Sequence, residues 1–193
     1  MNYSELRTAL SAYMKRADPE TINNEPIALE LARLTVGSTF HPREAEKTIA
    51  ALPITAGAGA LPADFGMALA VGDDMAYLPP RSWQLLEGQG EADDLTGQYT
   101  ILAGQLLVHP AITSLRLSYF EQPKIIAGAE SNWLSAYYAQ VWLHAARAEQ
   151  YRFIEDMESA GVADAYWQQL AGVLAGASET TRRAGGALRM RGR

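Results

Sequence analysis

Apolar positions recur along this chain with two different periods. Between Tyr3 and Met14 they fall at Tyr3, Leu6, Leu10, Tyr13 and Met14, the three-to-four-residue spacing that lines one face of a helix. Asn2 followed by Glu5 has the form of a capping box and marks its start. Asp18-Pro19 predicts its end, because a residue before proline is biased away from helical geometry. A second helix is predicted from Glu25-Pro26, since proline is tolerated in a first turn. Ile27, Leu31 and Leu34 form its apolar line, and Gly37 with His41-Pro42 closes it near Phe40.

The middle of the chain reads differently. Residues 54–98 hold seven glycines, seven acids and one base, Arg81. Short apolar pieces separated by Gly72-Asp73-Asp74 and Leu78-Pro79-Pro80 predict brief strands and loops. Tyr99–Leu102 and Gln105–Val108 flank Ala103-Gly104, which predicts a hairpin whose glycine supplies the positive φ of a tight turn. Leu115, Leu117 and Tyr119 alternate with Arg116, Ser118 and Phe120, the period of a strand with one buried face. Helix returns at Ser131, with Leu134, Tyr137, Tyr138, Val141, Ala145 and Ala148 as its apolar face. After Ala160-Gly161, Val162, Tyr166, Leu170, Val173, Leu174 and Ala177 predict a last helix, stopped at Gly185-Gly186. The expected fold is α+β. An antiparallel four-helix bundle draws on both termini (1–45 and 124–184), a small antiparallel β subdomain is inserted at 46–123, and 185–193 form an extended C-terminal tail.

Composition narrows the class. The 193 residues are 48% hydrophobic and 20% charged, enough to bury a real core. There is no cysteine, which excludes disulfides, thiolate metal sites and a cysteine nucleophile. The opening residues lack the basic and apolar regions of a secretory signal. The most apolar long window, 50–63, is broken by Pro53, Gly57, Gly59 and Pro62, so no membrane span is expected. The net charge of −6 hides an asymmetry: all 22 acids lie at or before Glu179, and residues 1–181 hold only 11 bases. The last twelve residues carry Arg182, Arg183, Arg189, Arg191 and Arg193 with no acid.

Candidate chemistry is sparse. His41, His109 and His144 lie far apart in sequence, without metal-ligand spacing; His144 falls on the apolar side of its helix. Asp73-Asp74 and Asp93-Asp94 sit beside glycine in turn-like sequence, where aspartate serves local hydrogen bonding. The run from Gly57 to Pro62 lacks the Gly-Lys-Ser/Thr ending of a phosphate loop and reads as a loop only. No nucleophile elbow occurs, and neither catalytic residues, metal nor cofactor is expected. Trp142 and Trp167 stand beside better core positions, which makes them candidate subunit contacts. The arginine-rich end has three readings: a non-specific phosphate footprint, a docking tail anchored by Leu188 and Met190 between forked arginine donors, or a solvated end.

Taken together, several segments resemble the head–tail adaptor (connector) proteins of tailed bacteriophages. They are Asn2-Tyr3-Ser4-Glu5-Leu6, the run from Ile27 to Leu34, Leu61-Pro62-Ala63-Asp64-Phe65, Tyr99-Thr100-Ile101 with Gly104-Gln105-Leu106 and His109-Pro110, Leu115–Tyr119, and Ser131-Asn132-Trp133-Leu134. The most specific is the end, where Gly185-Gly186 precedes Leu188-Arg189-Met190-Arg191. The resemblance implies a structural virion protein, assembled in the host cytoplasm. It implies a ring of about a dozen copies beneath the portal, whose tails (Arg182, Arg183, Leu188, Arg189, Met190, Arg191, Arg193) dock on the portal protein. Genomic DNA would pass through the ring, and tail or nozzle proteins would bind below it. Asp73, Asp74, Asp93 and Asp94 are then candidates to face the lumen or the tail. A tail-completion or terminator subunit, and a small nucleic-acid-binding protein using the arginine tail, are the alternatives.

Overall fold

Helix α1 (Tyr3–Met14) starts at the capping box its sequence announces. The Asn2 side chain accepts the Glu5 amide at 2.9 Å, and the Glu5 carboxylate accepts the Asn2 amide at 3.0 Å. Leu6, Leu10 and Met14 are its buried face. The computed structural model describes residues 1–15, 18–72, 76–81, 95 and 97–190, with side-chain surroundings up to Ala177. The chain divides into two compact units. One combines Met1–Ala45 with Gln122–Arg193; the other is Glu46–Glu121.

In the first unit, helix α2 (Pro19–Thr39) starts earlier than its sequence predicts. Asp18 caps it by accepting the Thr21 amide at 2.9 Å, Pro19 occupies the first turn, and Pro26 lies inside. Its buried face is Thr21, Glu25, Ala28, Leu29, Ala32 and Val36, so small alanines, not the Ile27–Leu31–Leu34 line, admit a neighbouring helix. The short α3 (Trp133–Tyr137) is capped by Asn132 rather than Ser131, in a reciprocal box with Ser135. Tyr138 leaves helical geometry and separates α3 from α4 (Ala139–Phe153). Glu155, at φ 60°, turns the chain into α5 (Met157–Met190).

Helix α4 is the hub. Its Trp142 Nε1 donates to the Leu29 carbonyl at 2.8 Å and Gln150 Nε2 to the Thr21 carbonyl at 3.2 Å, both on α2. His144 packs its ring against Tyr166 of α5, 4.4 Å between centroids, and Arg152 pairs with Asp164 of α5. His144 and Arg152 each stand two positions beyond their α2-facing counterparts, about 200° around a helix. α2 and α5 therefore flank α4 on opposite sides.

The second unit holds two three-stranded antiparallel sheets among its described residues. Strands β1 (Glu46–Pro53), β6 (Ser114–Glu121) and β3 (Phe65–Gly72) form one, in the order β1-β6-β3. β2 (Ala58–Ala60), β5 (Gln105–Val108) and β4 (Tyr99–Leu102) form the other, in the order β2-β5-β4. The inward residues of both, including Leu52, Val71, Leu106, Val108, Leu115 and Leu117, share one core. The predicted hairpin joins β4 to β5, with Ala103 and Gly104 both at positive φ. Ala56-Gly57 repeats the same turn before β2, so the segment read as a loop contributes a strand.

The architecture corrects the expected one. It is α+β, but not an antiparallel four-helix bundle with a small inserted subdomain: among the described residues five α-helices accompany two three-stranded sheets. The extended tail is also corrected. α5 continues through Gly161 and through Gly185-Gly186 to Met190. Glycine costs a helix about 1 kcal/mol per residue relative to alanine, and the adjacent alanines, arginines and leucine are good helix formers that carry the helix across.

Candidate assembly interface

Two helices of the first unit are apolar on two sides. On α2, Ile27, Leu31 and Leu34 are 50%, 39% and 48% exposed, while Ala28, Leu29, Ala32 and Val36 are buried. At about 100° per residue, the exposed trio sits across the helix from the buried face. On α5, Ala160, Ala163, Trp167 and Ala171 are buried, and Val162, Tyr166 and Val173 are 69%, 53% and 66% exposed along a second side, Tyr166 with one edge of its ring still against His144 of α4. Exposed apolar residues grouped along a second helix side mark an interaction surface. Tyr166 continues into an aromatic ladder across the unit, through His144 to the half-exposed Tyr13, 5.6 Å from the His144 ring. Burial and the nearby Arg147 hold His144 below the ordinary imidazole pKa.

Charge is divided between the units. Residues 46–121 carry nine acids and three bases, the whole net charge of −6. The helical unit carries thirteen of each, its last five bases being the terminal arginines. One ionic cluster fastens the β1-β6-β3 sheet. Lys47 Nζ reaches Asp64 at 2.6 Å and Glu121 at 2.9 Å, and the Tyr119 hydroxyl donates to Asp64 at 3.0 Å. Burial alone would raise Asp64, but the bonds from Lys47 and Tyr119 outweigh it and hold the carboxyl below its ordinary value. Burial and the bond to Asp64 push Tyr119 up to about 12. In the helical unit, burial and then Glu44 raise Tyr138, whose hydroxyl donates to that carboxylate in the turn before β1. These groups lock structure; among the described residues no cluster of His, Asp and Glu is arranged to hold a metal ion.

The predicted site residues are dispersed. Arg182, Arg183, Leu188, Arg189 and Met190 lie on helical backbone. Arg191 and Arg193 lie outside the described residues, as do Asp73, Asp74, Asp93 and Asp94. Trp142 and Trp167, read as standing beside the core, are instead part of it, 1% and 5% exposed. Trp142 fills the space the α2 alanines leave, and Trp167 donates Nε1 to Asp164 within its own helix at 2.9 Å. The exposed apolar residues are instead the ones the sequence reading assigned to the core. The available signal was that α2 offers two apolar lines, Ala28-Leu29-Ala32-Val36 and Ile27-Leu31-Leu34, of which a single helix–helix contact buries one.

Helices with apolar residues exposed on a second side offer surfaces on which further proteins can pack. A family model, SU10 adaptor protein, matches residues 1–191, and the chain belongs to that family of phage head–tail adaptors. It is a structural, non-enzymatic virion component that associates with other head and tail proteins. No curated relative matches the chain. No described helix is long and apolar enough to cross a membrane.

Proposed function

We propose that this chain forms a closed ring of about a dozen copies between portal and tail, docked on the portal protein by its C-terminal end. The observation carrying this reading is the segregation of charge. Five arginines and no acid occupy the last twelve residues, and the helix that carries the first three of them begins within the helical unit. Arginine forks suit carboxylate-bearing protein surfaces, and Leu188 and Met190 add apolar anchors between them. Repetition around one axis raises the effective concentration of each weak contact. The acidic β unit supports the rest of the reading: a channel wall of like sign to DNA lets the genome pass without being retained. Asp73, Asp74, Asp93 and Asp94 belong to that unit and are proposed to face the lumen or the tail.

The test is a chain ending at Ser178. It is expected to keep its fold by circular dichroism and to lose co-purification with the portal. Undiminished portal binding by the folded, shortened chain refutes the docking role. The same arginines favour nucleic-acid binding as a second reading, and a DNA shift assay separates the two. Full-length binding that weakens steeply with salt and vanishes on truncation supports the nucleic-acid reading. Binding to isolated tail tube instead of portal marks a tail-completion subunit.

A further inference from the structure

We infer that the outer face of α2 in one copy packs against the outer face of α5 in the next, so that one contact, repeated, covers both apolar strips of every copy. The α2 strip is Ile27, Leu31 and Leu34; the α5 strip is Val162, Tyr166 and Val173. Both run at the i, i+4, i+7 or i+11 spacing of a helix ridge, the form that interdigitates with a second helix.

Their placement selects the occupant. The strips lie on two helices that flank α4 on opposite sides. A partner of another kind seated on one strip leaves the second in water, on every copy. A like-with-like pairing of α2 with α2 has the same defect, since it stops at a dimer with both α5 strips uncovered. A head-to-tail contact of α2 with α5 leaves neither, and such a contact between unlike surfaces propagates until it closes. The strips are chemically matched for this: each is aliphatic at its ends, with no charged residue among the three. Tyr166 is pre-ordered for the role, because the His144 ring meets it edge-on with centroids 4.4 Å apart and Tyr13 packs at a tilt on His144. This inference rests on the ring reading above and adds the surfaces that make it.

The cysteine-free chain allows a direct test with the full-length protein assembled on its portal. Leu31→Cys marks the middle of one strip. Gln169→Cys, exposed on α5 between Tyr166 and Val173, marks the other. The α5 strip spans about 16 Å at 1.5 Å per residue, so a bis-maleimide arm of about 10 Å reaches from Gln169 to either end of it. The double variant is expected to give a ladder of dimers, trimers and larger species on a denaturing gel, and each single variant to stay monomeric. A mixture of the two single variants is expected to stop at the dimer. A dimer from Leu31→Cys alone or Gln169→Cys alone means like-with-like packing and overturns the inference. Absence of a ladder from particles that light scattering shows to be rings overturns the α2–α5 pairing and leaves the ring intact. Portal-bound protein that light scattering shows not to be a ring overturns the ring reading itself.

Discussion

Gly37 sits in the last turns of α2, where a helix normally gains from alanine. Replacing an unhindered helix glycine by alanine contributes about 0.5–1 kcal/mol. Here the added Cβ would stand 2.6 Å from Pro123 Cδ and 2.8 Å from Gln122 Oε1. The glutamine tip can swing away, but the proline ring is rigid. Its residue is also tethered, because Arg33 donates to the Pro123 carbonyl while Glu30 grips the same guanidinium at 2.8 Å. Forcing a methyl into such a contact costs about 1–3 kcal/mol, so Gly37→Ala is expected to destabilise the helical unit by about 1 kcal/mol net. Gly172→Ala on α5 is the control, since nothing lies within 4 Å of its Cβ position; it is expected to gain the full helix increment. Urea unfolding followed by helical circular dichroism reads both. If Gly37→Ala stabilises as much as Gly172→Ala, the α2–Pro123 contact is not rigid and the reasoning fails.

Further outcomes follow from the same packing. Trp142→Phe keeps most of the buried volume but loses the bond to the Leu29 carbonyl, and is expected to cost about 1 kcal/mol, against about 3–5 for Trp142→Ala, both by urea melts. In the β unit, the Asp64 carboxyl is held below its unfolded value, so its contribution is present above pH about 4 and lost as pH falls through the folded value. Acid titration of near-UV circular dichroism should show this loss, and Lys47→Met should flatten it. With Lys47 40% exposed the stability involved is no more than about 1 kcal/mol.

Local signals in the sequence were read well where a residue type allows few conformations. Asn2 and Glu5 capped a helix as written, and Ala103-Gly104 turned a hairpin as written. The errors share one physical origin: periodicity reports that a face is apolar, not what covers it. Ile27, Leu31 and Leu34 formed the most conspicuous line on α2, yet the closer approach to α4 goes through Ala28 and Ala32. The same substitution of a large-residue line for a small-residue one misplaced the core of α5, where Ala160, Ala163 and Ala171 flank Trp167. Helix limits failed for a related reason. Proline and glycine disfavour helix by a few kcal/mol at most, and the rest of a long helix outweighs them at Pro26, Gly161 and Gly185-Gly186. On a helix with two apolar lines, the residues that look most like core are the ones left outside.

The helical unit is interrupted in sequence, and that has a kinetic consequence. Trp142 and Leu29 are 113 positions apart when they bond, so the α2–α4 contact must close a long loop, which slows folding. The β unit is one unbroken stretch of chain whose first and last strands pair, Glu46 opposite Phe120. Once it has folded, the points where the chain enters and leaves it are held side by side, and the loop left to close is shorter. Until then, on a ribosome adding roughly 5–20 residues per second, α2 waits several seconds with neither of its apolar faces covered. The insertion therefore acts as a clasp for the helices on either side of it, and damage to its β1–β6 pairing should appear first as slow or aggregation-prone folding of the helices.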